Sequence, residues 1–139
     1  MFRVSRELEF CFGHRLLDYQ GKCQNIHGHN GKAVITMASD TLNDQGMVFD
    51  FVKIKRIIAS WIDETLDHKL LLRQDDPIIP YLTQHGMPIF PMPVNPTTEN
   101  IAKLIYDYAK SQGLPIVEVT MWETPYSYAT YSESHSKVG

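Results

Sequence analysis

The sequence predicts an α+β domain in which an antiparallel sheet carries two helices on one face. Three observations predict it. Residues 3–12 alternate apolar and polar side chains. Two stretches, 51–66 and the one opening at Pro96-Thr97-Thr98, repeat apolar residues at helical spacing. Two β-prone runs, 115–123 and 126–132, follow and are split by Thr124-Pro125. With a second strand over 32–38, the order is β-β-α-α-β-β.

In the first strand Val4, Leu8, Phe10 and Phe12 share one parity, with Arg3, Ser5, Glu7 and Glu9 on the other and Arg6 out of phase. His14 falls in phase with the apolar side and points inward if the strand continues. Cys11 falls on the polar parity and has no assigned role. Residues 13–30 contain Gly13, Gly21, Gly28 and Asn30 and read as a long loop. Lys32 to Ala38 suits a second strand, and Asn43-Asp44-Gln45-Gly46 a turn. Asp50 can cap the first helix through its carboxylate. Phe51, Ile54, Ile58, Trp61 and Ile62 give that helix an apolar stripe. Residues 73–96, rich in proline, read as a second long loop. Ile101, Leu104, Ile105 and Tyr108 form the stripe of the second helix, and Gly113 stands where its stop belongs. In the run 115–123, Val117, Val119, Met121 and Glu123 share parity. A carboxylate closing an apolar face is costly without a specific partner, which singles out Glu123.

The chain of 139 residues suits one domain, 1–139, with one core. A net charge of −3 gives no electrostatic reason to expect nucleic acid. There is no apolar run of membrane-spanning length and no signal peptide. The two cysteines form no Cys-x-x-Cys pair, so reduced thiols and a cytoplasmic location are expected.

The chemistry gathers near the N-terminus: His14, then Cys23-Gln24-Asn25-Ile26-His27-Gly28-His29. Imidazole is the commonest protein ligand for zinc, and three protein ligands leave a fourth position open, as in catalytic zinc sites. His27-x-His29 puts two imidazoles on one side of an extended segment. His85 and His135 read as surface residues. Cys23 is either a small buried apolar residue or a nucleophile or base; Lys22 and a nearby zinc would favour its thiolate. Asp67-His68 is either a helix end, where a histidine suits the dipole, or an acid–base pair. Thr97 and Thr98 start a helix and also offer donors to a ligand. Arg15, Lys22, Lys32, Lys69 and Arg73 are either a patch for an anion or scattered solvated charges.

His14-Arg15-Leu16, Gly21-Lys22-Cys23, His27-Gly28-His29-Asn30, Gly46-Met47-Val48-x-Asp50-Phe51, Leu66-Asp67-His68, Pro96-Thr97-x-Glu99-Asn100 and Glu123-Thr124 occur in one order along the chain. In this the sequence resembles the 6-pyruvoyl-tetrahydropterin synthase family, from about residue 4 to 131. It is most similar to the bacterial branch that forms 6-carboxytetrahydropterin for queuosine biosynthesis. Cys23 stands four residues before His27, the short spacing of that branch. The resemblance implies the tunnelling fold, a β-β-α-α-β-β unit that assembles into trimers, usually paired into hexamers, with active sites between subunits. It implies a pterin triphosphate substrate, 7,8-dihydroneopterin triphosphate, and a zinc ion held by His14, His27 and His29. Cys23 is implied as general base, Asp67 and His68 as its relay or a second acid–base element, and Glu123 as the anchor of the pterin ring. Thr97 and Thr98 are implied on the substrate side. Two positions depart from the family pattern: Gly13 where alanine is usual, and Gly31 where an aromatic usually follows His-Gly-His-Asn. Two other activities fit the same residues: a 6-pyruvoyl-tetrahydropterin synthase, which eliminates triphosphate without cleaving the side chain, and a zinc- and pterin-binding module without catalysis.

Overall fold

The computed structural model describes residues 1–133; His135, read above as a surface residue, lies outside them. One six-stranded mixed sheet, in the order β4-β3-β1-β2-β5-β6, organises the chain. Its centre is the antiparallel pair β1 (Phe2–His14) and β2 (His27–Ser39), aligned from Phe2↔Ser39 to His14↔His27. The expected loop over 13–30 therefore shrinks to residues 15–26, because the ladder continues through both histidine positions. The alternation of β1 is obeyed: Leu8, Phe10, Phe12 and His14 are buried while Cys11 is exposed.

Asp50 caps α1 (Phe51–Ile54), its carboxylate accepting from the Val52 amide at 2.8 Å. The helix runs on through a π-helical turn (Lys55–Ala59) into α2 (Ser60–Thr65). Ile54, Ile58 and Ile62 form its buried stripe, whereas Phe51, expected in that stripe, is 46% exposed. α4 (Thr98–Ser111) is capped by Thr97 Oγ1 and buries Ile101, Ala102 and Ile105. Trp61 stacks on Tyr108 with ring centroids 4.2 Å apart, which joins the two helical units over the core.

Three differences from the sequence reading stand out. The sheet is mixed rather than antiparallel: β3 (Lys69–Arg73) runs parallel to β1, and β4 (Ile89–Met92) parallel to β3. The long loop over 73–96 is in fact structured, holding the end of β3, α3 (Ile79–Gln84) and β4. Both β3 and β4 are short apolar runs without alternation, which periodicity cannot separate from loop or helix. Finally, β5 (Ile116–Thr124) carries a bulge opposite Thr36/Met37. The extra residue brings Ile116 into the core with Val119 and Met121 and leaves Val117 half-buried. This bulge lies upstream of Val119, so the burial alternation of Val119 and Met121 survives, and a second register shift, against β6 (Ser127–Tyr131), falls between Trp122 and Thr124 around Glu123. β6 closes the sheet after the turn at Pro125-Tyr126.

Candidate metal centre and active site

His14 and His27 face each other across the last rung of the β1–β2 ladder, and His29 pairs with Phe12 two residues inward. Directly opposed residues share a sheet face, so His14, His27, His29 and Phe12 all project to the core side. One nitrogen from each of the three imidazoles lies within 4.8 Å of the others. The ring centroids are 4.6 to 5.0 Å apart.

Two of the three rings, His14 and His27, are held from behind. His14 Nδ1 lies 2.8 Å from the Pro96 carbonyl, and His27 Nδ1 2.7 Å from the Asn25 carbonyl. A carbonyl only accepts, so both Nδ1 atoms carry the hydrogen and both Nε2 atoms are free to ligate. Phe12 meets His14 edge-on at 5.2 Å and His29 at 5.6 Å, walling the cluster on the core side. Burial lowers the pKa of His14 and of His29, outweighing the nearby Glu123 carboxylate. Both rings are thereby kept as neutral ligands. His14 Nε2 and His29 Nε2 are buried with no hydrogen-bond partner among the described residues. Buried polar atoms without partners are costly, and a cation held by three neutral imidazoles removes that cost. The donor set suits zinc.

Glu123 ends the core face of β5 and reaches the same cluster. Its Oε2 lies 3.7 Å from His14 Nε2 and its Oε1 3.7 Å from His29 Nε2. Thr98 Oγ1 donates to Oε2 at 3.0 Å. Thr97 is occupied in capping α4, its hydroxyl accepting from the Asn100 amide. Cys23 lies in a 3₁₀ turn (Lys22–Gln24) and is half-buried; its carbonyl accepts from the Leu16 amide, two residues after His14. The loop is pinned from the far side by Asn95, whose amide side chain bonds both the Leu17 N–H and the Leu17 carbonyl at 2.9 Å. Pro96, which orients His14, follows directly.

Asp67 and His68 lie beside Cys11, on the polar side of β1. His68 sits at φ +61, its amide donates to the Cys11 carbonyl, and its side chain is 77% exposed. With Cys11, Asn30 and Leu70, and with His27 and His29, it lines a cleft of about 780 Å³. Asp67 Oδ2 lies 2.8 Å from His68 Nδ1, and Asp67 Oδ1 accepts from the Cys11 amide. Among the described residues, no hydrogen bond joins this pair to Cys23 within one chain. The anion patch fares differently again. Arg15 is bound to Asp76, Arg73 to Asp18 and Asp75, and Lys69 to the Glu64 carbonyl. Lys32 lies 3.6 Å from Glu7 and over the Trp122 ring. Lys22, beside Cys23, has no side-chain partner among the described residues.

Residues that orient the site were not singled out from sequence: Phe12, Asn25, Asn95 and Pro96. Phe12 carried a signal as the apolar neighbour of His14 at strand spacing, and Pro96 only as the opening of the second helix. Asn25, Asn95 and Pro96 orient the site through backbone carbonyls or a loop clamp, which leave no pattern.

A mixed sheet with three inward histidines at one end of its central antiparallel pair defines an α+β domain whose histidine cluster could hold a metal ion. Residues 3–134 match the family described as 6-pyruvoyl tetrahydropterin synthase, and the chain belongs to that family. It is 37% identical over 132 residues to a Rickettsia conorii protein named 6-carboxy-5,6,7,8-tetrahydropterin synthase, covering 90% of this chain and 96% of that one. It is 32% identical over 144 residues to the Pongo abelii 6-pyruvoyl tetrahydrobiopterin synthase, covering 93% of this chain and 90% of that one. The structure of Caenorhabditis elegans 6-pyruvoyl tetrahydropterin synthase matches it with a TM-score of 0.72 at 26% identity, over 96% of each chain.

Proposed function

We propose that this chain is a 6-carboxy-5,6,7,8-tetrahydropterin synthase. It would be a lyase that converts 7,8-dihydroneopterin triphosphate and one water to 6-carboxytetrahydropterin, acetaldehyde and triphosphate. The observation that carries the reading is the three-imidazole cluster facing Glu123, in a chain 37% identical to a protein of that name.

His14, His27 and His29 would hold zinc through Nε2. Bound zinc would supply Lewis acidity to the side-chain hydroxyls of the substrate. Glu123 would accept two parallel hydrogen bonds from the amino edge of the pterin ring, a geometry that suits a carboxylate. Thr98 holds the Glu123 carboxylate in place for that contact. Cys23 would take a proton as thiolate, and His68 would return one, oriented by Asp67. His68 is exposed beside Cys11 on the polar side of β1 and shares no hydrogen bond with Cys23 among the described residues. Its meeting with Cys23 would therefore be made between subunits of a homo-oligomer, a trimer or hexamer. Lys22 is the cation best placed for triphosphate. The proposal includes a place in queuosine biosynthesis and, from its two free cysteines, a cytoplasmic location. Among the described residues no helix is long and apolar enough to cross a membrane.

Incubation of the zinc-loaded protein with dihydroneopterin triphosphate should yield 6-carboxytetrahydropterin and acetaldehyde by mass spectrometry. Cys23→Ala should abolish that turnover; undiminished activity would sink the role of Cys23. The second reading, a 6-pyruvoyl-tetrahydropterin synthase, draws on the 32% identity to the Pongo abelii protein. It predicts a pyruvoyl product and no acetaldehyde.

A further inference from the structure

We propose that Asn95 is a positioning residue whose clamp on Leu17 sets two things at once: the His14 imidazole of the histidine cluster and the loop that carries Cys23. Its effect on catalysis rests on the zinc and Cys23 roles given above; the clamp itself is geometry of the fold.

His14 ends β1 and is the most buried of the three cluster histidines. Its Nδ1 lies 2.8 Å from the Pro96 carbonyl. Three residues on, the Leu17 N–H donates to the Asn95 side chain and the Leu17 carbonyl accepts from it, each at 2.9 Å. The path closes on itself. It runs from His14 to Leu17 along the chain, to Asn95 through two hydrogen bonds, to Pro96 through one peptide bond, and back to the ring. Asparagine suits the joint, because its side chain offers a carbonyl and an NH₂ and so matches both backbone groups of one residue. The start of α4 fixes the other end. The Asn95 carbonyl accepts from Asn100 Nδ2 and from the Thr97 amide, each at 2.8 Å. Pro96 between them is buried, with its φ locked by the ring.

The same clamp reaches Cys23. The Leu16 amide, next to Leu17, donates to the Cys23 carbonyl at 2.9 Å. The loop has other ties, Arg15 to Asp76 and Asp18 to Arg73, but these end on residues 73–76. Among the described residues, only Asn95 hydrogen-bonds the loop to the segment that orients His14.

Hydrogen exchange tests this on the wild-type chain. Zinc at the cluster should slow amide exchange over residues 15–23 and 95–98 together. In Asn95→Ala, zinc should still protect the strand ends at 12–14 and 27–29 but no longer 15–23. Asn95→Asp keeps the shape but, ionised, cannot donate to the Leu17 carbonyl. Both variants should weaken zinc binding about tenfold in chelator competition and shift the visible spectrum of cobalt-substituted protein. Asp18→Ala, which cuts a different tie of the same loop, should do neither. Wild-type exchange over 15–23 unmoved by zinc overturns the coupling, and needs no variant to fold. Asn95 variants with wild-type zinc affinity and cobalt spectrum overturn the positioning role, as does an equal shift in Asp18→Ala. None of these readings involves a pterin. If all appear yet dihydroneopterin triphosphate is not turned over, the clamp stands and the enzyme reading falls. A chain that takes up no zinc overturns both.

Discussion

Asp67 is bound to His68, with Oδ2 2.8 Å from Nδ1, while its other oxygen accepts from the Cys11 amide at 2.9 Å. One carboxylate therefore fixes the His68 ring to the central strand. Burial pushes the Asp67 carboxyl up, but the Cys11 amide and the His68 ring outweigh it and hold it below the usual range. Asp67→Asn can satisfy the amide but presents an NH₂ to Nδ1, favouring the wrong tautomer. Turnover should fall by about 10²–10⁴-fold while zinc content stays at the wild-type level. Steady-state kinetics beside metal analysis checks both halves.

The Arg15–Asp76 pair secures the start of the histidine loop. The Asp76 side chain is fully buried, and Arg15 Nε donates to it at 2.8 Å. The Arg15 guanidinium holds the Asp76 carboxyl below its ordinary value. Arg15→Met leaves that carboxylate buried without its partner and should cost about 3 kcal/mol in urea unfolding at pH 7. The folded pKa is depressed, so the pair's contribution is present above the unfolded value of 3.8 and is lost as pH falls through the folded one. The gap between wild type and variant should therefore close in acid.

Metal-free protein should weaken on mild acidification. Burial depresses the pKa of His14 and His29 from 6.5 in the folded chain. As pH falls below that value the unfolded chain takes up protons first, so stability is full above about 6.5 and declines below it. Thermal melts of metal-free protein from pH 7.5 to 5 should show the decline, and His14→Asn should flatten it.

Gly31 is filled from its surroundings. A Cβ there would stand 2.6 Å from Met121 Cε and 2.9 Å from a Phe12 ring carbon. These two side chains occupy the space that an aromatic would take at this family position, so the pocket is not widened by the glycine. Gly31→Ala should destabilise by about 1–2 kcal/mol. Adding Met121→Ala should make the pair less costly than the sum of the single changes, read from a double-mutant cycle in urea.

Much of the metal site was legible along the chain because strand alternation is local. The phase of Phe10 and Phe12 sends His14 inward, His27-x-His29 repeats that period, and Val119, Met121 and Glu123 carry it to the ring side. The bulge at Val117 escaped notice because it needs the partner strand to define it. The short runs Leu70-Leu71-Leu72 and Ile89-Phe90 became strands only by pairing with β1 and with each other, a long-range choice without a periodic signal.

Local sequence signals were enough for the α+β class, the two capped helices, and the shared face of the three candidate ligands His14, His27 and His29. These follow from side-chain period and capping chemistry, which act within a few residues. Only the tertiary structure decided that Glu123 and Thr98 close over His14 and His29, and that Asp67–His68 lies beside Cys11 on the polar side of β1. Those placements depend on strand order and register between segments far apart in the chain, set by the burial of one shared core.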